Sequence, residues 1–242
     1  MSTVFVSDVH LGFGNRREEK EKEDRFLSFL KSVRSSTHEL FVLGDLFDFW
    51  FEYTTVIPKG FHRTLAALQE FTDGGIPVHY LAGNHDFWMK DFFSEELGVT
   101  LHRDPFETTV DGKRVYLHHG DGLAGKDMGY KIIKPILRSK INTWLYRWIH
   151  PDIGVPIARS SSRSSRKYTS EKDYGEEDGM VRFAKEKIEE GIDIVVMGHR
   201  HKPAAVTVGK GLYVNLGDWI DSNSYAVMKD GVMTLTKWKG GK

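Results

Sequence analysis

The chain has 242 residues, 34 basic and 34 acidic side chains, a formal net charge of zero and no cysteine. Hydrophobic residues make up 40% and charged residues 28%, the balance expected of an ordinary soluble globular protein with enough apolar material for a sizeable core. Disulfides and thiolate metal sites are excluded, and no run of about 18 apolar residues is present to span a bilayer.

Residues 4–6, Val-Phe-Val, read as a short buried strand ending at Asp8. No basic segment followed by a long apolar stretch precedes it, so a cytoplasmic protein without a signal peptide is expected. Residues 21–34 place Phe26, Phe29, Leu30 and Val33 at helical spacing on a charged background. Residues 40–43 form a second predicted strand, which runs into Gly44 and Asp45. A helix is predicted over 61–72 from Leu65, Leu68 and Phe71, and a third strand over 78–81 ends at Gly83 and Asn84. Strands alternating with helices imply a mostly parallel sheet with helices on its faces.

The second half has a different pattern. Val110-Asp111-Gly112-Lys113 reads as a hairpin turn. Residues 115–117 lead into His118-His119-Gly120, and residues 194–197 lead into Gly198-His199. Short strands are predicted at 204–208, 212–215, 225–228 and 232–237. The expectation is one domain over 1–242 in an α/β class of mixed α+β character, with two sheets packed together and an insertion at 122–174.

Charge is uneven. Residues 126–167 hold ten Lys or Arg against two acids, net +8, which leaves the rest of the chain at −8. Such a block favours an anionic partner. Within it, Ile132, Ile133, Ile136, Leu137, Ile141, Trp144, Leu145, Trp148 and Ile149 recur at helical spacing between Lys and Arg. That pattern suits a membrane interface or an amphiphilic ligand. It equally suits a helix that docks its apolar stripe on the core. The segment 159–167, Arg-Ser-Ser-Ser-Arg-Ser-Ser-Arg-Lys, offers hydroxyls and cations suited to a pyrophosphate, or is a polar loop. Interleaving with Trp and Ile, in place of a groove of aromatics, argues against nucleic acid as the partner. No protein partner is evident.

Five polar clusters carry the chemistry: Asp8-Val9-His10, Gly44-Asp45-Leu46-Phe47-Asp48, Gly83-Asn84-His85-Asp86, His119-Gly120-Asp121 and Gly198-His199-Arg200-His201. Each follows a predicted strand, and ligands of open α/β sheets bind beyond the carboxyl ends of strands. Any one cluster alone reads as a turn. Together they supply carboxylates, an amide and imidazoles for two divalent metals, with Mn, Fe or Zn suiting an oxygen and nitrogen donor set. Neighbours on a strand point to opposite faces, so His118 and His119 cannot both reach such a site.

The order of these motifs, spanning residues 8–201, resembles the calcineurin-like metallophosphoesterases. That resemblance implies a four-layer αββα sandwich. It places one metal on Asp8, His10, Asp45 and His201, and a second on Asp45, Asn84, His119 and His199, with Asp45 bridging. His119, immediately before Gly, is the ligand of its pair. His85 resembles the residue that stabilises charge on the phosphoryl group or protonates the leaving group, with Asp86 expected to orient it. Asp48 and Asp121 are candidate supporting carboxylates.

Residues 5–12, 43–50, 119–123 and 215–219 further resemble UDP-2,3-diacylglucosamine hydrolases of lipid A synthesis. That likeness implies two Mn ions, a helical lid at 122–174, and hydrolysis of an acylated sugar nucleotide at the cytoplasmic face of the inner membrane. By position, Asn84, His85, Asp127, Tyr130, Arg159 and Ser162 are implied to bind substrate. His85 departs from the proteobacterial members, which carry Arg there. The alternative is a general phosphodiesterase with another nucleotide- or lipid-linked substrate.

Overall fold

The computed structural model describes residues 1–123, 134–158, 160 and 179–240. Eleven strands form two mixed sheets. They are β1 (Ser2–Val6), β2 (Thr37–Val42), β3 (Val78–Leu81), β4 (Thr100–His102), β5 (Phe106–Val110), β6 (Lys113–His118), β7 (Ile194–Met197), β8 (Ala204–Val208), β9 (Gly211–Asn215), β10 (Ser224–Lys229) and β11 (Val232–Lys237). The first sheet runs β11-β10-β1-β2-β3-β4 and the second β5-β6-β7-β9-β8. Within the first, β1 to β4 are parallel and β10 and β11 antiparallel. Within the second, β6, β7 and β9 are parallel.

Alternation along the strands creates the layers. Successive residues face opposite sides of a sheet. Val4 and Val6 face helices Arg16–Arg34 and His62–Asp73, joining Phe26, Phe29, Leu65, Leu68 and Phe71 in one core. Phe5 between them faces the other way and joins Phe41, Leu117, Val196 and Val214 in a core between the sheets. Helix Gly179–Glu189 covers the outer side of the second sheet through Met180 and Ala184 against Val195, Met197 and Tyr213. These three cores establish the expected αββα order.

The first helix starts at Arg16, earlier than its apolar spacing predicts, because of a capping box. Asn15 accepts from the Arg17 and Glu18 backbone N–H groups, and Glu18 accepts from Asn15 N–H. The hairpin expected at 110–113 is present between β5 and β6, with Asp111 and Gly112 at φ 47° and 75°. Both central residues are therefore left-handed, as a type I′ turn demands. Strand β4 was not legible in advance, since three residues are too few to show a period.

In the described part of the insertion, the single helical stripe is replaced by shorter pieces. Residues 134–137 form one helical turn, helix Lys140–Tyr146 restarts after Ser139, and 151–158 is helical again. Pro151 opens that last piece, the position where a missing N–H costs nothing.

Phe29 ties the first helix to the C-terminal half, stacking near Trp219 at 4.7 Å, Tyr225 at 4.6 Å and Trp238 at 5.7 Å. Truncation of Phe29 to Ala is expected to cost about 3–5 kcal/mol in urea unfolding. Arg17→Ala, on the exposed side of the same helix, is expected to leave the unfolding midpoint essentially unchanged.

Candidate dimetal active site

The turns that follow β1, β2, β3, β6 and β7 converge and carry all seven expected ligands. Asp8, His10, Asp45, His199 and His201 sit at φ between 50° and 67°, the left-handed region that few non-glycine residues occupy. Five such residues in one site mark a backbone held by its surroundings for the sake of side-chain direction.

Asp8, His10 and His201 each aim one donor atom to within 4.8 Å of the others, and Asp45, His119 and His199 do the same. Nε2 of His201 lies 3.3 Å from Asp8 Oδ1 and 3.1 Å from His10 Nε2. In the second group, His119 Nε2 lies 3.2 Å from Asp45 Oδ2 and 3.0 Å from Asn84 Oδ1. Asp45 Oδ2 is also 3.7 Å from His10 Nε2 and 3.9 Å from His85 Nε2. One carboxylate oxygen thus faces both groups, the geometry required of a bridge. Asp8 Oδ1 is buried and accepts no hydrogen bond among the described residues, leaving its lone pairs directed at the imidazoles. The donor set of carboxylate, amide and imidazole fits a pair of borderline divalent cations.

The imidazoles are oriented from behind. His119 Nδ1 donates to the Leu43 carbonyl at 2.8 Å, and His85 Nδ1 donates to the Asp48 carbonyl at 3.0 Å. His10 turns Nδ1 toward the Asp48 carboxylate at 3.8 Å, and His201 turns Nδ1 toward Asp218 at 3.9 Å. Such partners set tautomer and ring direction.

Asp86 does not orient His85 as expected. Its carboxylate accepts from Leu46 N–H at 3.0 Å, Gly83 N–H at 2.8 Å and Tyr80 O–H at 2.6 Å. It secures backbone between the two turns, and the Asp48 carbonyl holds His85 instead. Asp121 does not face the metal groups either. It is buried and clasped by Lys134 Nζ at 2.6 Å and Arg138 Nη2 at 3.3 Å, which fastens the insertion to the turn carrying His119. His118 points away: its Nδ1 accepts from Gly120 N–H at 2.6 Å, and burial lowers its imidazole to about 4. Asp127, Tyr130, Arg159 and Ser162 lie outside the described residues.

Several supporting residues gave no sequence signal of their own. Buried Lys22 donates to the His10 carbonyl at 2.5 Å and pairs with Glu19 at 2.9 Å, and Glu19 in turn accepts from Gly14 N–H at 2.6 Å. Asn215 donates to the Gly198 carbonyl at 2.8 Å. Trp219 N–H donates to the Asp8 carbonyl at 3.1 Å. The i, i+3 spacing of Glu19 and Lys22 in the first helix and the resemblance over 215–219, which includes Asn215 and Trp219, were the hints the sequence offered.

Electrostatics favour positive charge at the centre. Burial disfavours ionised Asp8 and Asp45, yet His10, His201 and His119 outweigh it and hold both carboxyls well below their usual range. Burial likewise opposes imidazolium, but Asp48, Asp8 and Asp45 raise His10 to about 9. Asp45, with Asp8 and Asp121, raises His119 to about 10 against the same penalty. Asp86 is raised to about 6 by burial and then by repulsion from Asp45.

The insertion is the other unusual surface. Nine of the thirteen exposed large hydrophobics among the described residues lie between Ile136 and Ile157, and Trp148 is 75% exposed. The stripe therefore does not dock on the core. Tyr146 turns inward, near Phe51 at 4.7 Å and parallel to Trp88.

A family model described as calcineurin-like phosphoesterase matches residues 1–203. The chain belongs to that family. It is 33% identical to a UDP-2,3-diacylglucosamine hydrolase of Porphyromonas gingivalis, over 96% of this chain and 95% of that one. Proteins of the same name from Pseudomonas fluorescens and Pseudomonas aeruginosa are 31% and 30% identical, covering 94% and 95% of this chain and 91% and 95% of theirs.

Two glycines permit the close approach of these turns. A Cβ on Gly83 would overlap Asp45 Oδ1, and one on Gly198 would overlap Asp8 Oδ2. Elemental analysis is expected to find near-complete loss of both metals in Gly83→Ala, which displaces the bridge. In Gly198→Ala, which displaces Asp8 alone, about one metal is expected to remain.

Proton competition has a defined sign. An imidazolium cannot bind a cation, so below about pH 9 for His10 and pH 10 for His119 each must surrender a proton on binding. Metal affinity is expected to rise with pH through the neutral range. Calorimetry in buffers of different ionisation enthalpy should register about two protons released at pH 7.5, and pH-independent affinity would contradict this.

Proposed function

We propose that this protein hydrolyses the pyrophosphate of UDP-2,3-diacylglucosamine to UMP and 2,3-diacylglucosamine 1-phosphate, a step of lipid A biosynthesis, with attack at the α-phosphorus. The observation that carries the reading is one juxtaposition. A buried Asp, Asn and His cluster fit for two cations is clasped, through Asp121, to an insertion whose apolar residues face solvent. Phosphoester chemistry supplies one half of that pairing and an acylated substrate the other.

Two divalent ions, Mn by the resemblance, with Fe or Zn also suited to the donor set, would lower the pKa of water at the cluster and neutralise phosphoryl charge. Asp8, His10, Asp45 and His201 would hold one, and Asp45, Asn84, His119 and His199 the other. Asn84 and His85 meet the phosphoryl group. His85, fixed by the Asp48 carbonyl, has its Nε2 beside Asp45, where it supplies charge or a proton to the leaving phosphate. The span 122–174 is the lid. Asp127, Tyr130, Arg159 and Ser162 are assigned to the glucosamine phosphate or the uridine. Among the described residues no helix is long and apolar enough to cross a membrane. The exposed Trp and Ile of the insertion support peripheral association with the cytoplasmic face of the inner membrane.

The test is mass spectrometry of products after incubation with UDP-2,3-diacylglucosamine and Mn. UMP and the acylated sugar 1-phosphate are expected, and absence of UMP would sink the assignment. His85→Gln should lower kcat by about 10²–10⁴-fold with metal content unchanged.

A further inference from the structure

A second concave site lies outside the metal cluster. It is a cavity of about 570 Å³ between the loop after β3, the residues after β4 and the insertion. None of the seven metal-ligand candidates lines it, and neither does His85. Its walls carry Lys90, Arg103, Arg138, Lys140 and Arg147 against one acid, Asp104.

The state of those cations matters more than their number. Arg138 is committed to Asp121. Arg103 is fixed by donating to the Met89 carbonyl at 2.8 Å and the Lys90 carbonyl at 3.2 Å, bonds that set its geometry without cancelling its charge. Lys90, Lys140 and Arg147 form no ion pair among the described residues. Arg147 Nε is buried and has no hydrogen-bond partner among them. Like charges gathered around one concavity repel, and a bound anion relieves that repulsion. Guanidinium forks beside ammonium groups suit a phosphate.

The same wall includes Trp144, edge-on to Trp148 at 5.9 Å, and both indoles are largely exposed. Indoles favour the boundary between water and acyl chains. Anion site and exposed indoles together describe a lipid headgroup with its bilayer.

We propose that this cavity binds the phosphate of an anionic phospholipid headgroup, a site separate from the metal cluster, and that it seats the insertion on the membrane while Trp144 and Trp148 enter the interface. The proposal rests on the reading that the insertion meets a membrane, and it adds the residues and the lipid class that direct it there.

The experiment is flotation of the full-length protein with vesicles of phosphatidylcholine alone or with 30% phosphatidylglycerol. The wild type is expected to prefer the anionic vesicles. The triple variant Lys90→Gln, Lys140→Gln, Arg147→Gln should lose about 100-fold in that affinity at unchanged Tm. Arg147→Glu alone should lose about 10-fold or more. A control triple, Lys20→Gln, Lys210→Gln, Lys229→Gln, removes the same charge from exposed positions elsewhere and should bind as the wild type does. Equal losses in both triples would show diffuse attraction and overturn the site. Calorimetry with inorganic phosphate separates the sources. Saturable binding that the cavity triple abolishes, with vesicle affinity unchanged, would mark a soluble-phosphate site and overturn the lipid assignment. Turnover of UDP-2,3-diacylglucosamine in detergent micelles tests the hydrolase separately, and the cavity triple should retain it.

Discussion

The architecture turns on a buried carboxylate. Asp45 is 1% exposed, with Oδ2 directed into the imidazoles and Oδ1 accepting the His85 backbone N–H at 2.9 Å. The bracket is reciprocal. Asp86, in the turn after β3, takes the backbone N–H of Leu46 in the turn after β2, while Asp45 takes that of His85 in return. Burying ions is costly unless each is paired and hydrogen-bonded. Here each buried charge is answered by a neighbour that is itself part of the site. The left-handed backbone at Asp8 and His10 is held by their N–H bonds to the Gly44 and Asp45 carbonyls, and that at His199 by its N–H to Asp8 Oδ2, so geometry and electrostatics are tied together.

Much of this was legible in the chain because its signals are local. Strand ends followed by Asp-x-His, Gly-Asp, Gly-Asn-His, His-Gly-Asp and Gly-His put all seven ligand candidates in turns that the fold brings together, since alternation and turn chemistry act over a few residues. The layering came from the resemblance, and the structure shows how the chain encodes it, with Val4 and Val6 on one face of β1 and Phe5 on the other. What escaped was non-local. Nothing near Lys22 announces a bond to the His10 carbonyl, and nothing near Trp219 announces one to Asp8, 211 residues away in sequence and adjacent only in the fold. Asp86 misled for a related reason. Beside His85 in sequence, it was read as its partner, whereas the turn sends its carboxylate to Leu46, Gly83 and Tyr80. In the insertion, helical periodicity was genuine, yet periodicity states which residues share a face and not what that face meets.

The two chemistries of the molecule stay apart yet share one joint. The cluster is charged and largely buried, whereas the described part of the insertion presents indole and isoleucine to solvent. Asp121 belongs to both, since its backbone follows the turn of His119 and its carboxylate grips Lys134 and Arg138. Burial raises a lone carboxyl, yet His119, Arg138 and Lys134 hold Asp121 well below its usual range. Movement of the insertion would therefore be felt at a ligand, through one short stretch of chain.

The strand order has a bearing on biosynthesis. β1 precedes every other described strand in the chain yet ends in the middle of its sheet, between β2 and β10. Its edge stays unpaired until residues 224–229 are made, and its Asp8 waits for a backbone N–H from His199, 191 residues later. A nascent chain thus carries an apolar strand edge unpaired from the synthesis of β1 until that of β10, the kind of edge that invites aggregation. Completion of the first sheet becomes a late event, and a nascent chain with such an edge is a natural client for chaperones that shield it.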